Sequence, residues 1–258
     1  MLSKEIINDN EIIIVYSRAM DIKKLVAHRG DNTNYPENSY AGIESALLAG
    51  TLFVEFDVQM NADRSLVVIH DTDFKRTAND PAYLFEIGDT EMRTLSIHEP
   101  HKFGERHYPT HISYLSEIME LFAKYPKAQA LVEIKRESLW QWGLDAFMKP
   151  FLKTLKKHEA QSTVISFGLD ALEYTKKHSK LRTGFVFYDY RTSNLEIAKT
   201  LKPEYMIISH TILPENKLWE GNWKWMVYSI NSISDATRLL NRGDVDMIET
   251  DNIVLLLE

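Results

Sequence analysis

The sequence contains no cysteine, and this absence excludes disulfide bonds, thiolate catalysis and cysteine-bound zinc. An excess of positive charge is absent as well. The chain has 30 Lys and Arg residues against 37 Asp and Glu residues, which gives a formal net charge of −7. Because a phosphate backbone is bound by clustered Lys and Arg, no nucleic-acid partner is expected.

Long hydrophobic runs are also missing. The longest early run, residues 12–16, is too short to cross a membrane, and it follows the acidic residues Glu5, Asp9 and Glu11, which is the wrong flank for a signal peptide. No integral membrane segment is expected, and the sequence indicates a cytoplasmic enzyme. The chain of 258 residues, 44% hydrophobic and 26% charged, is typical of a globular protein with a sizeable core.

Short apolar runs alternate with amphipathic stretches along most of the chain. The predicted strands are 25–28, 52–58, 130–135, 163–167, 183–187, 205–208, 225–230 and 246–249. The predicted helices are roughly 38–50, 113–124, 138–157, 169–178, 193–201, 232–241 and 251–257. Asn38 and Ser113 are predicted to cap the first two helices. Eight strands alternating with helices predict parallel pairing and, most simply, a (β/α)8 TIM barrel, although an open doubly wound sheet fits the same alternation.

One departure from the alternation follows the second predicted strand. Between residues 58 and 66 there is no room for a helix. The segment “NADRS” at 61–65 has the composition of a turn, and 66–69 has that of a strand. We therefore expect a hairpin that extends from the second barrel strand.

A second departure is the long polar stretch 72–112. Long connections inside compact domains are usually functional or disordered, so this stretch is predicted to be an inserted excursion over one face of the barrel. Residues 1–22 are predicted to be an N-terminal appendage, and residues 23–258 a single barrel domain.

Charged residues stand inside two of the predicted strands. In “LFVEFDV”, Glu55 and Asp57 share one face of the strand, opposite an apolar face, and in “ALVEIK” Glu133 and Lys135 share a face in the same way. Either pair alone is most often a solvated strand face or a weak surface pair. Both pairs, however, fall at the C-terminal parts of their strands, where parallel barrels build active sites. Three carboxylates there predict an all-oxygen site for a hard divalent cation such as Mg²⁺ or Ca²⁺.

Several short motifs follow one another along the chain. They are “HRG” at 28–30, “PENS” at 36–39, “VEFDVQMNAD” at 54–63, “VVIHD” at 67–71 and “VEIK” at 132–135. In order and spacing they resemble the glycerophosphodiester phosphodiesterase family. Weaker counterparts extend the resemblance from about 25 to 251: “VISF” at 164–167, “VYSIN” at 227–231 and “DVDMIETD” at 244–251. The resemblance implies a TIM barrel, one divalent cation (Mg²⁺ or Ca²⁺, with Mn²⁺ as a further candidate), and hydrolysis of glycerophosphodiesters to glycerol 3-phosphate and an alcohol.

The resemblance also implies a role for ten individual residues. The implied catalytic residues are His28 and His70. The implied metal ligands are Glu55, Asp57 and Glu133. The implied substrate-binding residues are Arg29, Lys135, Tyr228 and Asn231, with Glu37 near the site.

These residue types suit the implied chemistry on independent grounds. A phosphodiester is negatively charged, so two basic side chains and a cation would neutralise it and stabilise its transition state. Two histidines can supply an acid and a base near neutral pH. The sequence leaves open which histidine is the acid, and whether water or the substrate's own glycerol hydroxyl attacks phosphorus.

Some departures from the family pattern bear on specificity. Arg64-Ser65 stand where a turn glycine is usual, and Tyr228 stands where tryptophan is usual. Two other functions stay open: a phospholipase D-like activity on lysophospholipids, and a non-catalytic member that binds phosphodiesters. The sequence predicts a small-molecule substrate, but neither its alcohol moiety nor the oligomeric state.

Overall fold

The computed structural model describes residues 4–8, 11–15 and 20–257 of the chain. The strands are β1 (Lys4–Asn8), β2 (Glu11–Val15), β3 (Leu25–His28), β4 (Phe53–Met60), β5 (Leu66–Val68), β6 (Gln129–Ile134), β7 (Ser162–Ser166), β8 (Arg182–Phe187), β9 (Tyr205–Ser209), β10 (Lys224–Tyr228) and β11 (Met247–Thr250). β1 and β2 pair with each other in antiparallel register.

Eight parallel strands form a closed barrel. The ring runs β3, β4, β6, β7, β8, β9, β10 and β11 in chain order, and β11 pairs with β3 to close it. The predicted TIM barrel is therefore confirmed, and the open doubly wound sheet is excluded. Strand ends differ from the predicted ones by one or two residues in most cases, which is the usual uncertainty of such boundaries.

Helices follow most of the barrel strands and pack against the outside of the barrel, and three further short helices lie in the segment 72–112. They are α1 (Tyr40–Leu48), α2 (Lys75–Ala78), α3 (Asp89–Met92), α4 (Pro100–Phe103), α5 (Leu115–Ala123), α6 (Arg136–Trp142), α7 (Leu144–Leu155), α8 (Leu169–His178), α9 (Thr192–Leu201), α10 (Ile233–Leu240) and α11 (Ile253–Leu257). None of the helices in the described segments is both long enough and apolar enough to pass through a lipid bilayer.

Three helix predictions need correction. The single helix predicted over 138–157 is two helices, α6 and α7, because Gly143 between them has a φ of 85° that ends the first one. Ser39, not Asn38, caps α1: its hydroxyl accepts the Gly42 N–H at 3.0 Å. Likewise α5 begins after Tyr114 rather than after Ser113.

The hairpin predicted after the second barrel strand is present. β5 pairs with β4 in antiparallel register, with Val58 opposite Val68. At the turn, Arg64 takes the left-handed conformation (φ 65°) that glycine adopts without cost. Its guanidinium lies 3.8 Å from the ring centroid of Trp142, a cation–π contact that helps to stabilise this turn without glycine.

Residues on alternate sides of each strand belong to two different cores. Val54, Phe56 and Val58 pack outward against the helices. A separate interior cluster fills the barrel with residues from successive strands: Val26, Leu131, Ile165, Val186, Tyr205, Ile207, Met226 and Met247. Glu55 is the register partner of Leu131 in this interior layer. The predicted strand parity therefore directs Glu55 and Asp57 into the barrel.

The segment 72–112 contains α2, α3 and α4, each a single turn. It has a small core of its own, in which Phe74, Leu84 and Ile97 pack against Val67 and Ile69 from the hairpin. This packing anchors the segment beside the C-terminal end of β4. The division into an appendage over 1–22 and one domain over 23–258 stays a prediction.

Candidate active site

A cavity of about 690 Å³ opens at the C-terminal ends of the barrel strands. Six of the ten predicted site residues line it: His28, Arg29, His70, Glu133, Lys135 and Tyr228. Glu37, Glu55 and Asp57 contact Arg29 directly. The fold therefore brings nine of the ten residues into one cluster, from segments that are far apart in sequence.

The three predicted metal ligands meet at the mouth of β4 and β6. Asp57 and Glu133 are register partners, and one carboxylate oxygen each of Glu55, Asp57 and Glu133 lies within 4.8 Å of the others. Glu55 and Asp57 are buried, and Glu55 Oε1 has no hydrogen-bond partner within the described part of the chain. A buried, unpartnered carboxylate oxygen within a set of oxygen donors fits a hard divalent cation.

Burial also changes the proton affinity of these carboxylates. Burial, together with the nearby charges of Asp57 and Glu249, holds the pKa of Glu55 well above its usual value. The pKa of Glu133 is raised by burial more than Lys135 lowers it. A bound cation would reverse this effect, because it favours the charged form of both groups.

Two basic side chains balance the acidic cluster. Arg29 Nε lies 3.1 Å from Asp57 Oδ2, and Lys135 Nζ lies 3.5 Å from Asp57 Oδ1 and 3.0 Å from Glu133 Oε1. Burial raises the pKa of Asp57, but Arg29 and Lys135 outweigh it and hold that pKa well below its usual value. Asp57 is therefore the fixed negative charge of the cluster.

His28 belongs to a hydrogen-bonded pair with Asp251. The two are 223 residues apart in sequence, yet His28 Nδ1 lies 2.6 Å from Asp251 Oδ1. The Asn32 and Asn231 amides donate to the same carboxylate at 2.9 and 2.7 Å. Burial lowers the pKa of His28, but Glu249 and Asp251 outweigh it, so the pKa lies above its usual value. Asp251 thus orients the ring and, after Glu249, favours its charged form.

His70 has a matching arrangement. Its Nδ1 lies 2.6 Å from Asp71 Oδ1, and Arg76 from α2 holds the other oxygen of Asp71 at 2.8 Å. Arg76 also donates two hydrogen bonds to Glu37, at 2.5 and 2.7 Å, and Glu37 accepts a third from Arg29 at 2.9 Å. One continuous chain of side-chain hydrogen bonds therefore connects His70 to Arg29 through Asp71, Arg76 and Glu37.

Asn38 has a role different from the helix cap predicted for it. Its φ is 57°, and its side chain grips Asp57 from two sides. The amide Nδ2 donates to Asp57 Oδ2 at 2.9 Å, and Oδ1 accepts the backbone N–H of Asp57 at 3.1 Å. The left-handed backbone aims this side chain into the barrel, so Asn38 orients a predicted metal ligand.

The two residues of “VYSIN” lie in different surroundings. Tyr228 is half-buried in the wall of the cavity, and burial together with Glu133 and Glu249 raises the pKa of its phenol. Asn231 is exposed, and its side chain bonds Asp251 through both amide atoms, at 2.7 Å to the carboxylate and 2.9 Å from the backbone N–H. A substrate contact stays a prediction for both residues.

Four residues of the cluster escaped the sequence analysis: Asp71, Arg76, Glu249 and Asp251. Glu249 lies on β11 and lines the cavity; it is buried, and none of the residues that the structure describes forms a hydrogen bond with its Oε1. Burial raises its pKa to about 7. The signal that identified Glu55, a carboxylate alternating with apolar residues near a strand end, is also present for Glu249 in “MIET”.

Comparisons with known proteins agree with this geometry. The model of the glycerophosphoryl diester phosphodiesterase family matches residues 28–255. A glycerophosphodiester phosphodiesterase of Caldanaerobacter subterraneus subsp. tengcongensis is 31% identical over 241 residues, which cover 88% of this chain and 93% of the relative.

Solved structures share the fold. A phosphodiesterase of Oleispira antarctica, in complex with the product sn-glycerol-3-phosphate, aligns with a TM-score of 0.79 at 23% identity, over 90% of this chain and 94% of that one. A glycerophosphodiester phosphodiesterase of Thermotoga maritima aligns with a TM-score of 0.68 at 20% identity, over 90% and 95% of the two chains.

The family match begins at His28 and runs through the last barrel strand, so it covers every strand end described above. The protein is accordingly a hydrolase of phosphoric diesters built on a TIM barrel. Within that class, the chain belongs to the glycerophosphoryl diester phosphodiesterase family, as its short motifs indicated.

Proposed function

We propose that the chain hydrolyses glycerophosphodiesters to glycerol 3-phosphate and an alcohol with the help of one divalent cation. Glu55, Asp57 and Glu133 would hold the cation, and His28 and His70 would move the protons. One observation carries the proposal: both histidines line the same cavity, and each has its Nδ1 2.6 Å from an aspartate oxygen.

The aspartates define what the histidines can do. A carboxylate that accepts the Nδ1 proton fixes the tautomer and leaves Nε2 free for proton transfer. Two such rings can act as a pair, one taking a proton from the attacking oxygen while the other gives a proton to the departing alkoxide. Asp71 and Asp251 act through the histidines and are positioning residues.

Positive charge in the cavity complements the substrate. Arg29 and Lys135 line the cavity, and both are held in place by buried carboxylates. They would bind the phosphate oxygens and stabilise the charge that develops there. When bound, Mg²⁺, Ca²⁺ or Mn²⁺ would add Lewis-acid stabilisation of the same charge.

The substrate is proposed to be a small molecule. A cavity of about 690 Å³ lies within the usual range for small ligands. The relative from Oleispira antarctica binds sn-glycerol-3-phosphate, which is the product expected here. Burial keeps the Tyr228 phenol protonated, so it can donate a hydrogen bond to the substrate.

The roles of the histidines are tested by substitution. In His28→Ala and His70→Ala, glycerol 3-phosphate release from glycerophosphocholine should fall by about 10² to 10⁴-fold, since each removes a proton-transfer group. The exposed His178 at the end of α8 gives a matched control, and His178→Ala should retain full activity. Full activity in His28→Ala would contradict the mechanism. A faster rate on lysophospholipid than on glycerophosphocholine would instead favour the lipase alternative.

A further inference from the structure

Glu249 is a fourth carboxylate beside Glu55, Asp57 and Glu133, and the proposed mechanism does not use it. These four residues are called the acidic ring. The side chain of Glu249 lies with those of His28 and Glu55, and one ligand atom of each is within 4.8 Å of the others. This set shares only Glu55 with the Glu55, Asp57 and Glu133 set. The register explains the grouping, since β11 and β4 flank β3, and His28 is the register partner of Glu55.

The positive charges of the ring are distributed unevenly. Arg29 and Lys135 both pair with Asp57, and Lys135 also pairs with Glu133. Among residues 20–257, no Lys or Arg forms an ion pair with Glu249. Among the described residues, the half of the ring that contains Glu55 and Glu249 therefore has two carboxylates, and the base that faces them is His28 rather than a Lys or Arg side chain.

Two buried oxygens in this half, Glu55 Oε1 and Glu249 Oε1, have no hydrogen-bond partner among residues 4–8, 11–15 and 20–257. The two residues are only 2% and 4% exposed. Leaving a buried carboxylate oxygen unpaired is costly, and such oxygens are usually paired or bound to a metal. Glu249 Oε1, which does not belong to the Glu55, Asp57 and Glu133 set, is therefore available to bind a cation, and Glu55 can supply a shared ligand.

His28 is oriented as a metal ligand beside Glu55 and Glu249. Metal-binding histidines usually donate their other ring N–H to a carboxylate, which orients the ring and makes the ligand nitrogen more basic. Asp251 provides this contact at Nδ1, 2.6 Å away, and His28 Nε2 lies 3.9 Å from Glu55 Oε2.

We propose that His28, Glu55 and Glu249 form a second divalent-cation site, with Glu55 shared between this site and the Glu55, Asp57 and Glu133 site. One imidazole and two carboxylates suit an ion of intermediate softness, such as Mn²⁺ or Zn²⁺, better than Mg²⁺ or Ca²⁺. Ions at this site bind the same Nε2 lone pair that proton transfer uses. Excess Mn²⁺ or Zn²⁺ therefore inhibits the enzyme, a consequence that rests on the proposed function.

The site is tested by counting bound Mn²⁺ on metal-stripped protein, with the free ion followed by electron paramagnetic resonance. The wild type should bind two ions per chain, and Glu249→Gln one. Glu133→Gln should retain the second ion. Glu86→Gln, an exposed glutamate in the 72–112 segment, is the matched control and should bind two. One ion in the wild type, or two ions in Glu249→Gln, would overturn the proposal.

A kinetic measurement separates this proposal from the proposed function. The rate of the wild type should rise and then fall as Mn²⁺ increases, and the falling phase should be absent in Glu249→Gln. A wild type that binds two ions but hydrolyses no glycerophosphodiester would refute the proposed function and leave the second site standing. A wild type that binds one ion and hydrolyses glycerophosphodiesters would refute the second site and leave the proposed function standing.

Discussion

At the scale of single residues, each histidine of the cavity depends on an aspartate that is held by further polar groups. For His28 these are Asp251 with Asn32 and Asn231, and the contacts are between 2.6 and 2.9 Å. Such a shell fixes the ring to the precision that proton transfer needs. The carboxylate of Asp251 should therefore matter to the rate although it touches no substrate.

Replacing Asp251 tests this role. In Asp251→Asn, kcat should fall by about tenfold or more, because the Nδ1 proton loses its charged acceptor. The hydrogen bond and charge of Asp251 raise the pKa of His28, so their removal lowers it. Whether His28 acts as acid or base, its limb of the pH–rate profile should then move to lower pH.

The matched control for this substitution is an aspartate that directly precedes β11. Asp246 is exposed, and its side chain accepts a hydrogen bond from the backbone N–H of Trp225 at 2.8 Å. Asp246→Asn should leave both kcat and the pH–rate profile unchanged. An unshifted profile in Asp251→Asn would show that Asp251 does not tune His28.

What the sequence could reveal at this scale depended on distance along the chain. Strand parity places Glu55 and Asp57 on one face because it is a local property of two neighbouring residues. Asp251 reaches His28 only because β11 closes the ring beside β3, and no local pattern contains that contact. Glu249 was missed although parity would have revealed it.

At the scale of elements, the loop between β3 and α1 must pass very close to the helix. Gly30 has a φ of 84°, and a Cβ there would lie 2.7 Å from the backbone of Gly42 and Ile43. Only glycine fits this approach, which brings Arg29 and Asn38 over the acidic cluster. Gly143 has a nearly identical φ of 85° but open space around it.

These two glycines form a matched pair. Both Gly30→Ala and Gly143→Ala should lower the free energy of unfolding by about 1–3 kcal/mol through backbone strain. Gly30→Ala should lower the free energy of unfolding by about a further 1–3 kcal/mol, because its Cβ overpacks backbone atoms that cannot move aside. Urea denaturation measures both losses. If the two substitutions lowered the free energy of unfolding equally, the backbone around Gly30 would have moved to accommodate the added Cβ, and the close approach would not require glycine.

The excursion over 72–112 contributes to the site through α2. Arg76 bridges Asp71 and Glu37, which connect to His70 and Arg29. Arg76→Gln should reduce the free energy of unfolding by about 1–2 kcal/mol. Charged hydrogen bonds are lost, but solvent screening limits the effect because the Arg76 side chain is 45% exposed. Activity should fall as well, since Asp71 loses the hydrogen bond from Arg76 that orients it toward His70.

Lys75 on the same turn of helix is the control. It is 70% exposed and pairs with Asp73 at 3.4 Å. Lys75→Gln should change the free energy of unfolding by less than about 0.5 kcal/mol and leave activity intact. Comparable effects of the two substitutions would remove the assigned role of Arg76.

Element boundaries were harder to predict than element types. Asn38 is a residue type that often caps helices, yet Ser39 caps α1. The side chain of Asn38 instead forms hydrogen bonds with Asp57, which lies on another element. The 72–112 segment was recognised by its length, but its small core around Phe74 depends on contacts with the hairpin. Tertiary contacts override local preference in both cases.

At the scale of the whole molecule, barrel closure gathers four carboxylates and two basic side chains at one mouth. The alternation of strands and helices favoured this closure but fitted an open doubly wound sheet as well, and the pairing of β11 with β3 decides between the two. The cytoplasmic location and the oligomeric state are not fixed by the barrel, and the location stays a prediction.

Cation binding should stabilise the whole fold, because it relieves repulsion among buried carboxylates. At a free Ca²⁺ concentration of about 100 times its Kd, the gain is about 2.7 kcal/mol, which raises Tm by roughly 5–10 °C. In Glu55→Gln this rise should shrink to near zero. Asp145→Asn, at an exposed surface carboxylate, should show the full rise. An equal rise in Glu55→Gln would place the stabilising ion elsewhere.

In the proposed function, a cation at the barrel mouth enables hydrolysis of a glycerophosphodiester. The most direct test follows the phosphorus resonance of glycerophosphocholine by NMR with metal-stripped protein, before and after addition of Mg²⁺, Ca²⁺ or Mn²⁺. No reaction is expected without the ion, and glycerophosphocholine should be converted to glycerol 3-phosphate once one of these ions is added. Conversion at an undiminished rate in excess chelator, or no conversion with any of the three ions, would contradict the proposed function.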